Sequence, residues 1–290
     1  MGGGERHGRH SNASSDRRRA LARDAPALGR GPPRGLPPPR RLGAAGGAPG
    51  VSAGAILAAA LLAWAAPPAD AQPTPFSRSA PGATLPAPWR PLTLPRVSAP
   101  EVALVDDGGV TVLRSRAAAA AGTVAHDLDI DPAARPMLAW RWRVDRVVAG
   151  ADLARKSGDD FAARVYVFFD VPVEALPWTA RAKALVARAV WGEKLPTAAI
   201  CYVWDNRHPP GTSAWNPYTD RVRTVVLRSG SPGAWVEESR DLAADFRAAF
   251  GAQWSGPVPR VTGIAIGNDT DQTGETVTAW FGDFRLEARP

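Results

Sequence analysis

Residues 140–145 read Trp140-Arg141-Trp142-Arg143-Val144-Asp145, and this stretch decides the class of fold. Large apolar residues alternate with charged ones, the two-residue period of a β-strand with one buried face. Trp140, Trp142 and Val144 share one side, and Arg141, Arg143 and Asp145 the other. A second strand follows in Arg164-Val165-Tyr166-Val167-Phe168-Phe169, introduced by the acidic turn Gly158-Asp159-Asp160. Together they predict a Trp-rich β-sandwich with arginines on an outer surface.

Working outward, short apolar runs separated by turn residues predict strands near 101–105, 110–115, 122–129, 137–145, 161–170, 198–205, 221–228, 234–239, 260–267 and 278–287. Gly108-Gly109, Pro209-Pro210-Gly211 and Ser229-Gly230 are typical of the punctuation. Two helices are expected, at about 178–190 and about 241–250, the second with Leu242, Phe246 and Phe250 on one face. Many antiparallel strands with one or two short helices make an all-β, two-sheet antiparallel β-sandwich or jelly roll. The expected organisation is a leader over 1–71, a Pro-rich linker or arm over 72–100, and the sandwich over 101–290.

The formal charge of +7 and pI of 10.4 invite a nucleic-acid reading. The location of the charge argues against it: residues 1–71 carry ten Arg and four acids, a net +6, and residues 72–290 a net +1. A nucleic-acid binder keeps its basic patch on the folded domain. No nucleic-acid partner is expected.

The leader reads as an export signal. Val51 to Ala66 is uncharged and rich in Ala and Leu, and it ends in Ala69-Asp70-Ala71 before Gln72, a small-x-small cleavage pattern. Arg40-Arg41 form the positive segment ahead of it and also fit a twin-arginine route, without the usual flanking residues. The run is short and Ala-rich for a membrane span, and the mature chain has none. A periplasmic or secreted protein cleaved near Ala71 is expected; an uncleaved anchor is the competing reading. The Gly/Pro/Arg run before Arg40 exceeds what such a signal needs and fits a start placed too early.

Cys201 is the one cysteine, so no intramolecular disulfide or Cys-based zinc site can form. Its setting, Ile200-Cys201-Tyr202-Val203, suits a small buried hydrophobe. Ten of the eleven Trp lie after residue 72. Most fill a core, while exposed Trp and Tyr can stack on the apolar faces of sugar rings.

Three constellations are candidates for chemistry. In Asn268-Asp269-Thr270-Asp271-Gln272-Thr273-Gly274-Glu275, oxygen-bearing Asp269, Asp271 and Thr273 recur at every second residue before a Gly. This resembles the first half of a Ca²⁺ loop, although Trp280 stands where the closing Glu belongs; an Asx turn uses the same residues. Asp159 and Asp160 form a second acidic loop and would join a Ca²⁺ site if the two loops converge. The third candidate is a ligand face carrying Arg141, Arg143, Arg164 and Tyr166, with Tyr202 and Trp204 on another strand. Guanidinium forks beside aromatic rings suit an anionic or carboxylated glycan; cross-strand salt bridges with Asp145, Asp170 and Asp205 are the structural alternative.

Enzymatic signals are thin. His126 and His208 lack metal-ligand spacing, and no nucleophile elbow, P-loop or dinucleotide fingerprint is present. Glu237 and Glu238 are adjacent on a strand and face opposite sides, so they cannot work as a glycosidase pair.

An ordered set of motifs resembles a known family: Trp-Arg-Trp-Arg-Val at 140–144, Gly-Asp-Asp at 158–160, Ala-Arg-Val-Tyr-Val at 163–167, Tyr-Val-Trp at 202–204, Arg-Ser-Gly at 228–230 and Trp-Val-Glu-Glu at 235–238. It continues with Asp-Phe-Arg-Ala-Ala-Phe-Gly at 245–251, the loop 268–275, and Trp-Phe-Gly-Asp-Phe at 280–284. Over about 100–288 the chain resembles the bacterial domain of unknown function 3047 family. That resemblance implies a single exported domain and carries no catalytic residue. It implies a jelly roll similar to galactose-binding-like and carbohydrate-binding modules, with Gly282-Asp283-Phe284 as the turn ending the last strand. The expected function is an exported module binding carbohydrate or another envelope glycan. The alternatives are a polysaccharide hydrolase or lyase using the loop carboxylates, or a structural envelope protein; the residues lean away from an enzyme.

Overall fold

The computed structural model describes residues 72–176, 178, 180–182, 196–230 and 232–290. The alternation read in 140–145 is realised in full. Strand β5 (Met137–Val144) buries every second residue, with Trp142 and Val144 completely covered and Trp140 3 % exposed. Arg141 and Arg143 lie on the opposite face. Burying an indole of this size against a sheet contributes several kcal/mol. The Trp142 ring also gains a partner for its polar edge, as its Nε1–H donates to the Glu238 carboxylate at 3.0 Å.

Further strands are β1 (Arg90–Thr93), β2 (Glu101–Asp107), β3 (Val110–Ala118), β4 (Ala121–Ile130), β6 (Phe161–Phe169), β7 (Ala198–Asp205) and β8 (Ser213–Asn216). The chain continues with β9 (Thr219–Ser229), β10 (Val236–Asp241), β11 (Val261–Asp269), β12 (Thr276–Phe281) and β13 (Arg285–Glu287). They form two sheets: seven strands in the order β1-β4-β11-β6-β7-β9-β8, and six in the order β10-β5-β12-β3-β2 with β13 paired to β5. The fold is an antiparallel β-sandwich of the jelly-roll kind. One pair departs from the rule: β7 and β9 run parallel, which the hairpin-like turn residues between them did not suggest.

Helix α1 (Leu242–Phe250) follows β10 directly. Asp241 caps it by accepting from the Ala244 N–H, and Leu242, Phe246 and Phe250 are buried at helical spacing. The helix expected at 178–190 falls mostly outside the described residues. Within it, Trp178 and residues 180–182 are helical, and Trp178 is 81 % exposed.

Two strands escaped the sequence reading. β1 lies in the Pro-rich stretch and contains Pro91, which an edge strand tolerates because one side of its ladder is unpaired. β8 has four residues and also sits at a sheet edge. The strand expected over 278–287 is broken into β12 and β13 at Gly282, whose N–H donates to the Arg141 carbonyl. A Cβ at Gly282 would lie 2.6 Å from Arg141 Cγ, so only glycine lets the chain cross there.

The Pro-rich stretch packs into the sandwich as an arm. Phe76 is completely buried and Trp89 4 % exposed, in the same core as Trp140 and Phe284. The Gln72 side chain pairs with Leu286 through two hydrogen bonds, Nε2–H to the carbonyl at 2.7 Å and Oε1 from the N–H at 2.8 Å. His126 Nε2 accepts the Thr74 N–H at 3.0 Å, and Trp89 Nε1–H donates to the Thr74 carbonyl at 2.7 Å. Among the described residues, no helix is long and apolar enough to cross a membrane.

Candidate functional site

The site forms on the face of the seven-stranded sheet turned away from the sandwich core. Along β6, Val165 and Val167 point into the core between the sheets, and Arg164, Tyr166 and Phe168 point outward. Their outward neighbours on adjacent strands are small: Ala125 on β4, Ala265 on β11 and Cys201 on β7. Small residues beside large ones leave a groove across the strands. Leu92, Leu94 and Val97 wall one side, and Asn216, which ends β8, and Tyr218, in the turn to β9, wall the other. The groove encloses about 140 Å³. The Tyr166 and Phe168 rings stack along its floor at 6.1 Å between centroids.

Both acidic loops reach one end of this groove. Asp160, completely buried, accepts the Thr273 N–H at 2.7 Å and the Gln272 N–H at 3.4 Å, and so ties the 158–160 loop to the 268–275 loop. Gly274, at φ +73°, lets the second loop close, its N–H reaching the Thr270 carbonyl at 2.8 Å. Glu275 adds a second tie by accepting the N–H groups of Ala149 and Gly150. Asp160, Asp269 and Asp271 thereby bring carboxylate oxygens within 4.8 Å of one another.

Arg164 is the counter-charge, 4 % exposed and saturated with partners. Its Nε donates to Asp269 Oδ1 at 2.8 Å, and one terminal nitrogen lies 2.5 Å from Asp269 Oδ2. The same nitrogen donates to the Asp159 carbonyl, and the other donates to the Tyr166 hydroxyl at 2.8 Å. Burial alone would lower the guanidinium, but Asp269, Tyr166 and Asp159 offset this and hold it well above the ordinary arginine range. Asp159 in turn accepts from the Asn216 side-chain amide at 2.9 Å. Burial, reinforced by the charge of Asp160, pushes the Asp271 carboxyl up. Burial and then Asp159 do the same to the Tyr218 hydroxyl.

Three clustered carboxylates are the donor type a hard divalent cation takes. They also accept from protein donors: Asp160 from two backbone N–H groups, Asp269 from Arg164 and the Phe161 N–H at 2.9 Å, Asp271 from the Gln272 amide at 2.6 Å. Thr273 offers its N–H to Asp160, while its hydroxyl accepts the Glu275 N–H at 3.4 Å. Asp160 and Asp269 thereby latch the two loops together.

The six residues expected on one ligand face divide among three places. Arg164 and Tyr166 meet at the groove floor, with the arginine turned to its internal partners. Tyr202 and Trp204 are 0 % and 1 % exposed and point between the sheets, where their polar edges reach Asp245 and the Gly230 carbonyl. Arg141 and Arg143 lie on the outer face of the other sheet. The physical reason is strand parity: β6 residues 164 and 166 face outward on their sheet, as 141 and 143 do on theirs, whereas even-numbered 202 and 204 face the core. Of the proposed cross-strand acids, Asp145 accepts the Thr278 N–H and Asp205 binds His208 Nδ1 at 2.5 Å. Cys201 is buried, its thiol pushed up to about 12 by burial, which leaves it unreactive.

The groove residues Asn216, Tyr218 and Gln272 were not singled out from sequence. Asn216-Pro217 is a recognisable turn signal, but its position over β6 depends on the parallel β7–β9 pairing.

The family model described as "Protein of unknown function (DUF3047)" matches residues 87–285. The chain belongs to the DUF3047 family. The match spans both sheets, and it contains every residue of the groove and the latch named above. No curated protein matches the chain. Among solved structures, it is similar to the xyloglucanase domain of NopAA, a type three effector from Sinorhizobium fredii, at 9 % identity and a TM-score of 0.36, covering 70 % of this chain and 99 % of that one. It is also similar to the endo-1,4-beta-glucanase CelB2, at 13 % identity and a TM-score of 0.37, covering 67 % and 90 %. The cellulose induced protein Cip1 is similar at 12 % identity and a TM-score of 0.31, covering 69 % and 91 %. Likeness at this level says nothing about residues or activity.

Proposed function

We propose that this DUF3047 protein is an exported carbohydrate-binding module whose ligand site is the groove on the seven-stranded sheet. The observation that carries the reading is the lining itself. One wall and the floor are apolar and aromatic (Leu92, Val97, Tyr166, Phe168), and the other offers Asn216, Tyr218, Asp271 and Gln272. A sugar ring presents the same two chemistries, apolar C–H faces and a rim of hydroxyls. Export is supported by the leader ending at Ala69-Asp70-Ala71 and by Gln72, the next residue, being tied to Leu286. An envelope glycan is the ligand class that fits this location.

Calorimetry on the purified chain against neutral and acidic envelope oligosaccharides tests the reading. Binding that Tyr218→Ala and Asn216→Ala weaken by tenfold or more, with the fold retained, supports it. No heat from any glycan overturns it.

One observation favours turnover as a second reading: Asp271 is a half-buried carboxyl with a raised pKa on the groove wall, the condition of a general acid. Release of reducing ends from a bound glycan, abolished by Asp271→Asn with binding intact, would establish it.

A further inference from the structure

The outer face of the six-stranded sheet carries a second arrangement, independent of the groove. β12 lies between β5 and β3, so that Trp280 stands opposite Arg143 on one side and Arg114 on the other. The Arg143 guanidinium lies 4.4 Å from the Trp280 ring centre and 5.2 Å from that of Trp235, and the Arg141 guanidinium lies 4.5 Å from Trp235. Asp107 fixes the group, accepting from Arg143 at 3.0 Å and from Trp235 Nε1 at 2.6 Å. Gly282 leaves the space into which the Arg141 stem packs.

Asp107 neutralises Arg143, and stacking on Trp235 accounts for the position of Arg141, while Arg114 stands beside Trp280 in the β12–β3 ladder. Neither arrangement accounts for their charge. Arg114 and Arg141 are half-buried, and among the described residues neither guanidinium has a carboxylate or a hydrogen-bond acceptor. Glu237 stands across from Arg141 in the β10–β5 ladder without pairing with it. Two guanidinium forks without an acid therefore flank a Trp–Arg–Trp stack, on strands at the ~4.8 Å spacing of a sheet, and the buried Nε of Arg114 has no acceptor among the described residues. A guanidinium fork matches a carboxylate, and the aromatic surface between matches the C–H face of a sugar.

We propose that this face binds a carboxylated polysaccharide, a uronate-bearing chain laid across β5, β12 and β3, with its carboxylates on Arg141 and Arg114. Spaced carboxylates fit better than a dense phosphate polymer, because residues 72–290 carry a net charge of only +1 and offer no extended basic field.

The test is affinity electrophoresis of the full chain through gels containing polygalacturonate, its methyl-esterified form, or polyphosphate. The parent and its variants share the same basic leader, so differences between them report the face. Polygalacturonate should retard the parent, and Arg114→Ala/Arg141→Ala should weaken retardation at least tenfold with an unchanged unfolding midpoint. Arg114→Lys/Arg141→Lys, which keeps the charge and stem, should fall between the two and serves if the alanine pair fails to fold. Arg223→Ala, which removes one positive charge from the other sheet, where the guanidinium contacts Ser213 and Trp215, should bind polygalacturonate as the parent does. Equal retardation of the parent and both double variants overturns the proposal, as does equal retardation by the esterified polymer or by polyphosphate.

Discussion

Arg164 and Asp269 form a two-pronged ion pair across β6 and β11, at 2.8 Å from Nε and 2.5 Å from a terminal nitrogen. Removing the arginine leaves Asp269 buried beside Asp159 and Asp160 with no counter-charge. Arg164→Met should lower the unfolding free energy by about 3–5 kcal/mol in urea titrations. Adding Asp269→Leu should recover much of that loss. If the single variant is as stable as the parent, the hub role assigned to Arg164 is wrong.

Phe76 belongs to an arm that composition alone reads as equally suited to a linker, yet it is completely buried and its ring lies 4.9 Å from that of Trp89. Phe76→Ala should cost about 3–5 kcal/mol, the range for emptying a core aromatic site. A free linker would lose nothing, so the urea midpoint separates the two.

His126 holds the same arm by accepting the Thr74 N–H, and burial lowers its pKa from 6.5 to about 4. The folded state therefore keeps the ring neutral while the unfolded chain binds a proton. The stability this contributes is complete above the unfolded pKa of 6.5 and is lost as pH falls towards 4, by about 3 kcal/mol at most. His126→Gln, which retains an acceptor for Thr74, should flatten the fall in urea midpoint between pH 6.5 and 4. An unchanged slope would show that other groups govern acid stability.

Asp271 behaves in the opposite sense. Its folded pKa is raised above 3.8 by burial and by Asp160, so its charge destabilises the fold once pH exceeds the ordinary carboxylate range. Asp271→Asn should raise the thermal midpoint at pH 7, and the gain should shrink to nothing as pH drops through about 3.8. A variant less stable at pH 7 would mean that the carboxylate's hydrogen bonds outweigh its burial.

Because the clustered carboxylates already hold protein donors, Ca²⁺ should leave the thermal midpoint where it is, and EDTA likewise. An ion present at a hundredfold its Kd would add about 2.7 kcal/mol. A clear rise in midpoint with Ca²⁺, reversed by EDTA, would replace the latch by a metal site.

Much of the sandwich was legible in the chain. Strand parity at 140–144 assigned Trp140 and Trp142 to the core and Arg141 and Arg143 to the surface, because a pleated backbone leaves no other arrangement. Trp204 and Tyr202 could not be placed by the same rule. Every residue of β7 is buried, so periodicity there distinguishes no face; a central strand covered on both sides reads as a continuous apolar run. Gly158-Asp159-Asp160 and the 268–275 loop were recognisable as acidic turns, yet their meeting was not. They are 108 residues apart at the Phe161–Asp269 contact.

What the amino-acid order determined by itself is what depends on neighbours a few residues away: alternation, turn positions, the capped helix and the family pattern. Which carboxylates share a site, and whether an outward arginine meets an acid, an indole or nothing, was decided by the tertiary structure alone. Those contacts follow from strand order and register across the sheets, and the burial energy that sets the register is summed over the whole core. Arg164 and Arg141 have the same local pattern. Pairing with β11 gives one of them Asp269 as an ion-pair partner, while the place of β5 beside β10 and β12 stacks the other on Trp235, with Glu237 across the ladder but not paired to it.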